Sequence, residues 1–198
     1  MTELKATKEM CYYCFDCIIA HFEKRSPFEI DLNEAKAPLF ITWKIQKNND
    51  YTLRGCIGTF SSQPLKKGLN EYAKISALRD YRFSPVQKSE IPKMRCYVSL
   101  LTNFENAQNY LDWTPGVHGI TIQFRGYRGT YLPEVSSDHF NNDKELTIKN
   151  LVRKTGFYGN LNQNLKNEIN VERYQSSKID ATYEEYLSFL KNKQTNQK

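Results

Sequence analysis

The chain reads as an α+β protein with mostly antiparallel sheets and packed helices, and three observations predict this class. Stretches with apolar residues at helical spacing are interleaved with stretches in which every second residue is apolar, in the order helix, hairpin, helix, several strands, helix, strand, helix. Two pairs of strand-like stretches are separated only by turn residues, Asn48-Asn49-Asp50 and Arg125-Gly126-Tyr127-Arg128-Gly129, which predicts hairpins. Hydrophobic residues make up 39% of the 198, with 13 Tyr and 11 Phe, enough for a buried core and against wholesale disorder. The length fits one large domain or two small subdomains sharing a core.

Residues 8 to 24 read as the first helix, because Met10, Tyr13, Cys14, Cys17, Ile18, His21 and Phe22 share one face and Ser26-Pro27 ends the pattern. Within it, Cys11, Cys14 and Cys17 form C-x2-C-x2-C, a spacing met in zinc and iron–sulfur sites. Steps of three rotate the thiols away from one point on a helix, and no nearby fourth cysteine or histidine pair completes a site. Core packing is the expectation, with no metal and no cofactor. Leu39, Ile41, Trp43 and Ile45 alternate with mostly polar neighbours as a half-buried strand, and the next strand begins at Tyr51.

Ser61-Ser62-Gln63-Pro64 supplies an N-cap and an early proline for a helix running from Leu65 to about Arg79. Residues 79 to 85 are irregular, and Met94 to Leu101 is a strand that places Cys96 in the core. Asp112 to Gly116 turns into a strand from Val117 to Phe124, and Thr130 to Val135 reads as its return strand, with Pro133 marking an edge or the end of pairing. Asp143 to Lys154 is an amphipathic helix with Gly156 as its C-cap, Val171 to Ser176 a short strand, and Thr182 to Lys191 a last helix. Residues 192 to 198 are expected to form a frayed polar tail.

Function is concentrated in Leu53-Arg54-Gly55-Cys56-Ile57-Gly58-Thr59-Phe60. In a strand, Arg54, Cys56 and Gly58 face one way while Leu53, Gly55 and Ile57 anchor the other, with Arg54 and Cys56 Cα atoms roughly 6.6 Å apart. A guanidinium beside a thiol favours the thiolate, and the missing side chain at Gly58 leaves room for a ligand. The helix predicted just beyond this strand would add exposed amides and a dipole, together an anion pocket. His118, flanked by Gly116 and Gly119, is the histidine best placed for a crevice.

The formal charge is +6, but Lys191, Lys193 and Lys198 lie in the tail, leaving 25 basic against 22 acidic residues, +3, elsewhere. That balance fits an anionic ligand and falls short of the basic stripe of a dedicated nucleic-acid binder. Five cysteines, an odd number, follow a polar stretch from Met1 to Glu9 without the apolar core of a signal peptide, so reduced thiols in a cytosolic or nuclear compartment are expected. No run reaches the apolar length that crosses a bilayer, and no membrane partner is expected.

At this point the residues resemble the AMMECR family, named for a chromosomal-deletion syndrome of Alport nephropathy, intellectual disability, midface hypoplasia and elliptocytosis. The family's defining hexapeptide is Leu53-Arg54-Gly55-Cys56-Ile57-Gly58. Agreement extends to Tyr13-Cys14-Phe15-Asp16, Arg79-Asp80 with Arg82-Phe83, Val98-Ser99-Leu100-Leu101, Gly116-Val117-His118-Gly119-Ile120, Thr130-Tyr131-Leu132-Pro133-Glu134-Val135 and Arg173-Tyr174-Gln175-Ser176. Tyr81 stands where the family usually has proline. The resemblance covers essentially the whole chain and implies two subdomains forming a cleft near the hexapeptide, in a protein of the nucleus and cytoplasm. It supplies no established activity; members have been associated with transcription, replication, repair or translation, and prokaryotic relatives keep genomic company with Memo-like and radical-SAM proteins.

Three readings follow. The first is a regulatory or partner-binding module whose cleft around Arg54 and Cys56 receives an acidic protein tail or an anionic small molecule, with Gly55, Gly58, Arg79, Arg82 and Tyr131 as further contacts. The second is a cysteine enzyme of group transfer or hydrolysis, with Cys56 as nucleophile and His118 or Glu134 as base or orienting group, in an RNA- or small-molecule-modification pathway. The third, ranked last, is RNA binding through Arg79, Tyr81, Arg82, Arg125, Tyr127 and Arg128.

Overall fold

The structure is a computed structural model that describes residues 4–32 and 35–195. Six strands form one sheet in the order β2-β1-β3-β6-β4-β5. They are β1 (Lys36–Lys47), β2 (Asp50–Pro64), β3 (Met94–Asn106), β4 (Gly119–Phe124), β5 (Tyr127–Tyr131) and β6 (Asn170–Thr182). The pairs β1–β2, β1–β3, β4–β5 and β4–β6 are all antiparallel. With the helices α1 (Lys8–Glu23), α2 (Leu65–Leu78), α3 (Glu134–Phe140), α4 (Lys144–Lys154), α5 (Gln163–Glu168) and α6 (Tyr183–Thr195), the class is α+β. The chain divides into two compact units, residues 1–100 with 177–198, and residues 101–176.

In the first unit α1 and α2 contribute to one core with alternate residues of β1 and β3. Leu39, Ile41 and Trp43 of β1 and Cys96, Val98 and Leu100 of β3 are buried there. The apolar stripe of α2, through Leu65, Leu69, Ala73 and Ala77, lies on this layer, and the Trp43 indole N–H donates to the Ala73 carbonyl at 3.1 Å. Cys11, Cys14 and Cys17 are buried in the same core, with the Cys11 thiol donating to the Ile179 carbonyl at 3.7 Å. Burial pushes the Cys14 and Cys17 thiols up, away from the thiolate. Asp16 is buried on α1 and fully engaged. It accepts from the Arg25 fork at 2.7 and 3.1 Å, the Tyr186 hydroxyl at 2.7 Å and the Phe28 amide at 2.6 Å, tying α1, the following loop and α6 together. Burial alone would raise its carboxyl, and these donors hold it below the ordinary value instead.

The second unit has its own core of Trp113, Ile120, Ile122, Phe124, Ile148, Leu151, Val152, Leu165, Ile169 and Val171. Here several expectations change. The return strand of the second hairpin is Tyr127–Tyr131, reached through a two-residue turn with φ of 46° at Arg125 and 82° at Gly126. β5 is an edge strand whose pairing ends at Tyr131, just before Pro133, as expected; Pro133 itself sits at a helix N-terminus, so Glu134 and Val135 belong to α3 and not to the strand. β6 runs to 13 residues, and α6 continues to Thr195, so residues 192–195 are helical while 196–198 lie outside the described residues.

Replacing Asp16 by alanine leaves the Phe28 amide and the Tyr186 hydroxyl without their acceptor inside the core. Asp16→Ala is expected to cost about 3 kcal/mol, seen as a fall in Tm of about 6–12 °C; a melt within 1 °C of the parent would show the network to be dispensable.

Candidate functional site around Cys56

β2 is the outermost strand of the sheet, and its register with β1 slips once within the motif. Trp43 lies opposite Gly55 and Lys44 opposite Leu53, so Arg54 has no partner and forms a bulge. One extra residue inverts the facing of everything before it. Gly55 and Ile57, opposite Trp43 and Ile41, face the helix layer as expected, whereas Leu53, opposite Lys44, turns to the other face and is 40% exposed. The pairing of Leu53 with Ile57 as a common anchor is thereby corrected.

Arg54 is aimed into the segment that follows α2. Its Nε and Nη2 donate to the two oxygens of Glu90 at 2.9 and 3.0 Å, its Nη1 donates to the Ser84 carbonyl at 2.7 Å, and its side chain is only 11% exposed. Glu90 also accepts the Gln87 amide at 2.7 Å, capping a short 3-10 turn, Lys88–Lys93. The Arg54 guanidinium holds the Glu90 carboxyl below its ordinary value. An incoming anion would have to displace this fork.

Gly55 marks a close approach of backbone to backbone. A Cβ placed there would lie 2.0 Å from the Ser76 carbonyl oxygen on α2. The last turn of α2 is thereby set against the strand and delivers Arg79 and the following loop to its edge. The Cys56 amide donates to Asp80 Oδ2 at 2.8 Å, and Arg82 Nη2 donates to the Cys56 carbonyl at 3.0 Å. Asp80 and Arg82 are themselves forked, at 2.9 Å from Nε to Oδ1 and 2.7 Å from Nη2 to Oδ2. A side-chain ion pair thus occupies the two edge groups that a further strand would take. Hydrogen bonding from Arg82, helped by the Cys56 amide, holds the Asp80 carboxyl far below the carboxylate range, although its side chain is only 2% exposed.

The Cys56 side chain projects from the face opposite α2. It is half-exposed, the other four cysteines being buried, and its Sγ accepts from the Thr42 hydroxyl at 3.0 Å, across the register pair Thr42–Cys56. Gly58 lies opposite Phe40, whose Cγ would be 2.4 Å from a Cβ there, so the space left by the glycine is filled by that ring. Phe40 in turn meets Phe60 edge-on with centroids 5.1 Å apart.

The anion pocket expected from a helix start beside Cys56 is not formed. β2 continues to Pro64, so α2 begins roughly 30 Å of strand beyond the cysteine, and Pro64, not a serine, caps it. The end of α2 that reaches the motif is its C-terminus.

Arg79 caps the C-terminus of α2 and is exposed. His118, Tyr131 and Glu134 belong to the second unit. The His118 Nδ1 accepts the Thr114 amide at 2.9 Å within a tight turn, and burial, with Arg173 nearby, lowers its basicity. Tyr131 gives its carbonyl to the Tyr174 hydroxyl at 3.0 Å, its ring lying under the Lys154 ammonium at 4.7 Å, and Glu134 opens α3. Gly119 lies against the Tyr174 ring, 2.4 Å from a built Cβ. Of the basic residues considered for RNA, Arg82 is forked with Asp80 and Arg125 with Glu168 at 2.6 Å. Sequence reasoning missed Glu90 and Thr42 as partners of the motif; nothing marks Glu90, and Thr42 meets Cys56 only because of the bulge.

The class defined by this geometry is an α+β protein whose outermost strand displays a clamped cysteine. The family follows from comparison: the AMMECR1 family model matches residues 11–179, and the chain belongs to that family. It is 43% identical over 195 residues to an uncharacterized protein of Arabidopsis thaliana, spanning 95% of this chain and 91% of that one. An uncharacterized protein of Schizosaccharomyces pombe is 38% identical over 190 residues, covering 92% and 96%. The crystal structure of the uncharacterized protein PH0010 from Pyrococcus horikoshii has the same fold, with a TM-score of 0.69 at 22% identity over 87% of this chain and 90% of that one.

Two outcomes are expected from variants of the clamp. Gly55→Ala forces α2 away from β2 and costs about 3 kcal/mol, with urea unfolding as the measurement and an unchanged midpoint as the refutation. The depressed Asp80 carboxyl stabilises the fold when ionised, above the unfolded-state value of about 3.9, and that contribution fades as pH falls below it. Melting temperatures taken from about pH 6 to about pH 2 should therefore fall more steeply for the parent than for Asp80→Asn; parallel curves would remove Asp80 from the acid response.

Proposed function

We propose that this protein is a non-catalytic binding module that presents the face of the β1–β2 hairpin around Cys56 to a protein partner. The observation that carries the reading is the commitment of the nearby cations. Arg54 is spent on Glu90 and the Ser84 carbonyl, Arg82 on Asp80 and the Cys56 carbonyl, and among the described residues the Cys56 sulfur has one hydrogen-bond partner, the Thr42 hydroxyl. A nucleophilic cysteine needs a base or an unpaired cation to hold its thiolate. A recognition surface needs a rigid backbone with mixed apolar and polar groups, which Leu53, Phe60, Phe40, Cys56 and Thr42 supply. Arg54 enters this reading as a strut of the surface rather than as the acceptor of an anion. The nucleus and the cytoplasm, where thiols stay reduced, are the compartments in which the partner is sought.

One observation favours the enzyme reading: Cys56 alone among the five cysteines is not buried. A photo-crosslinking residue in place of Phe60 separates the two. A partner captured in cells with the parent and with Cys56→Ser, and lost with Thr42→Arg, supports the binding surface. Loss of capture with Cys56→Ser, together with a covalent adduct on Cys56 in the intact mass, would replace it with covalent chemistry.

A further inference from the structure

A second surface lies on the helix layer, on the side of the sheet away from the Cys56 side chain. The outer side of α2 and the C-terminal half of α1 border a groove of about 570 Å³. Lys67, Lys74 and Arg79 stand along it, His21 closes it from α1, and Glu71 is its one acid. A smaller adjoining hollow shares His21 and Lys74 and adds Lys24. Elsewhere in this unit Lys8, Arg25, Arg54, Lys66, Arg82, Lys88 and Arg95 are engaged in ion pairs. The side chains of Lys24, Lys67, Lys74 and Arg79 make no ion pair or hydrogen bond with any described residue. Three such cations along one groove, with Lys24 in the adjoining hollow, repel one another, and an anionic ligand relieves that repulsion.

We infer that this groove is a binding site for an acidic peptide segment carrying apolar side chains. Ile75 and Leu78, both half-buried, line it beneath the cations and offer contact to apolar groups, which an inorganic anion does not use. No Phe, Tyr or Trp lines it, so the stacking platform of a single-stranded nucleic acid is missing. From Lys67 to Arg79 the helix rises roughly 18 Å, the reach of about six extended residues. The site is independent of the hairpin face and stands or falls apart from it.

The test is fluorescence anisotropy of a labelled Glu-Leu-Glu-Glu-Leu-Glu peptide with the full chain. Binding is expected to weaken by about tenfold or more in Lys67→Glu/Lys74→Glu, where two favourable charge contacts become repulsive, and severalfold between about 50 and 200 mM salt. The same charge reversal at Lys149, exposed on α4, should leave binding unchanged. Both groove lysines sit on the surface of α2, and a parental melting curve for the double variant confirms its fold. No binding at millimolar protein, equal binding by the double variant, or equal competition by a single-stranded RNA hexamer or by inorganic phosphate would each overturn the assignment.

Discussion

The Asp80 carboxylate, buried against the outer edge of β2, fixes the main chain of Cys56 from outside the sheet. An outermost strand ordinarily leaves its outward N–H and C=O groups to water or to another chain. Here the amide is taken by Asp80 and the carbonyl by Arg82, and the two side chains neutralise one another. The clamp exists because α2 ends beside the motif, and α2 ends there because Gly55 has no side chain to hold it off. Glycine, aspartate and arginine are thus parts of one device, and none can be exchanged without disturbing the others.

The same economy of charge runs through both units. Arg54 with Glu90 and Arg25 with Asp16 are two-pronged pairs that join loops to the first core, and Arg173 reaches Asp112 and Glu105 in the second. Planar guanidinium forks suit such joints, since each fixes a direction as well as a distance. The consequence for Cys56 is that its basic neighbours serve the fold. The thiol is displayed on a stiff surface beside a hydroxyl, while Lys67, Lys74 and Arg79, without ion pairs, stand along α2 on the other side of the sheet.

Motif residues of the second unit also prove architectural. Gly119 makes room for the Tyr174 ring, whose hydroxyl reaches the Tyr131 carbonyl and Thr130, so three separated stretches of sequence meet at one buried tyrosine. His118, flanked by glycines and attractive as a base, spends Nδ1 on the turn that precedes β4.

Much of this was legible beforehand where the physics is local. Helical periodicity located α1, α2, α4 and α6, alternation located β1 and β3, and turn chemistry located both hairpins, because each depends on neighbours within a few positions. Arg54, Cys56 and Gly58 were singled out as residues of consequence from their types and spacing. A symmetric hairpin closing at Lys47 and Asp50 pairs Thr42 with Gly55; the bulge at Arg54 moves Thr42 to Cys56 instead, and it is set by how α2 and the loop after it pack on β2. Whether Arg54 serves the thiol or a glutamate 36 residues away is decided by the same packing. The sequence by itself determined the longer periodic elements, the family motif and the buried cysteines, but not the short helices α3 and α5. Only the tertiary structure decided which partner each charged group of the motif takes, because those partners are brought together by long-range packing that no local pattern encodes.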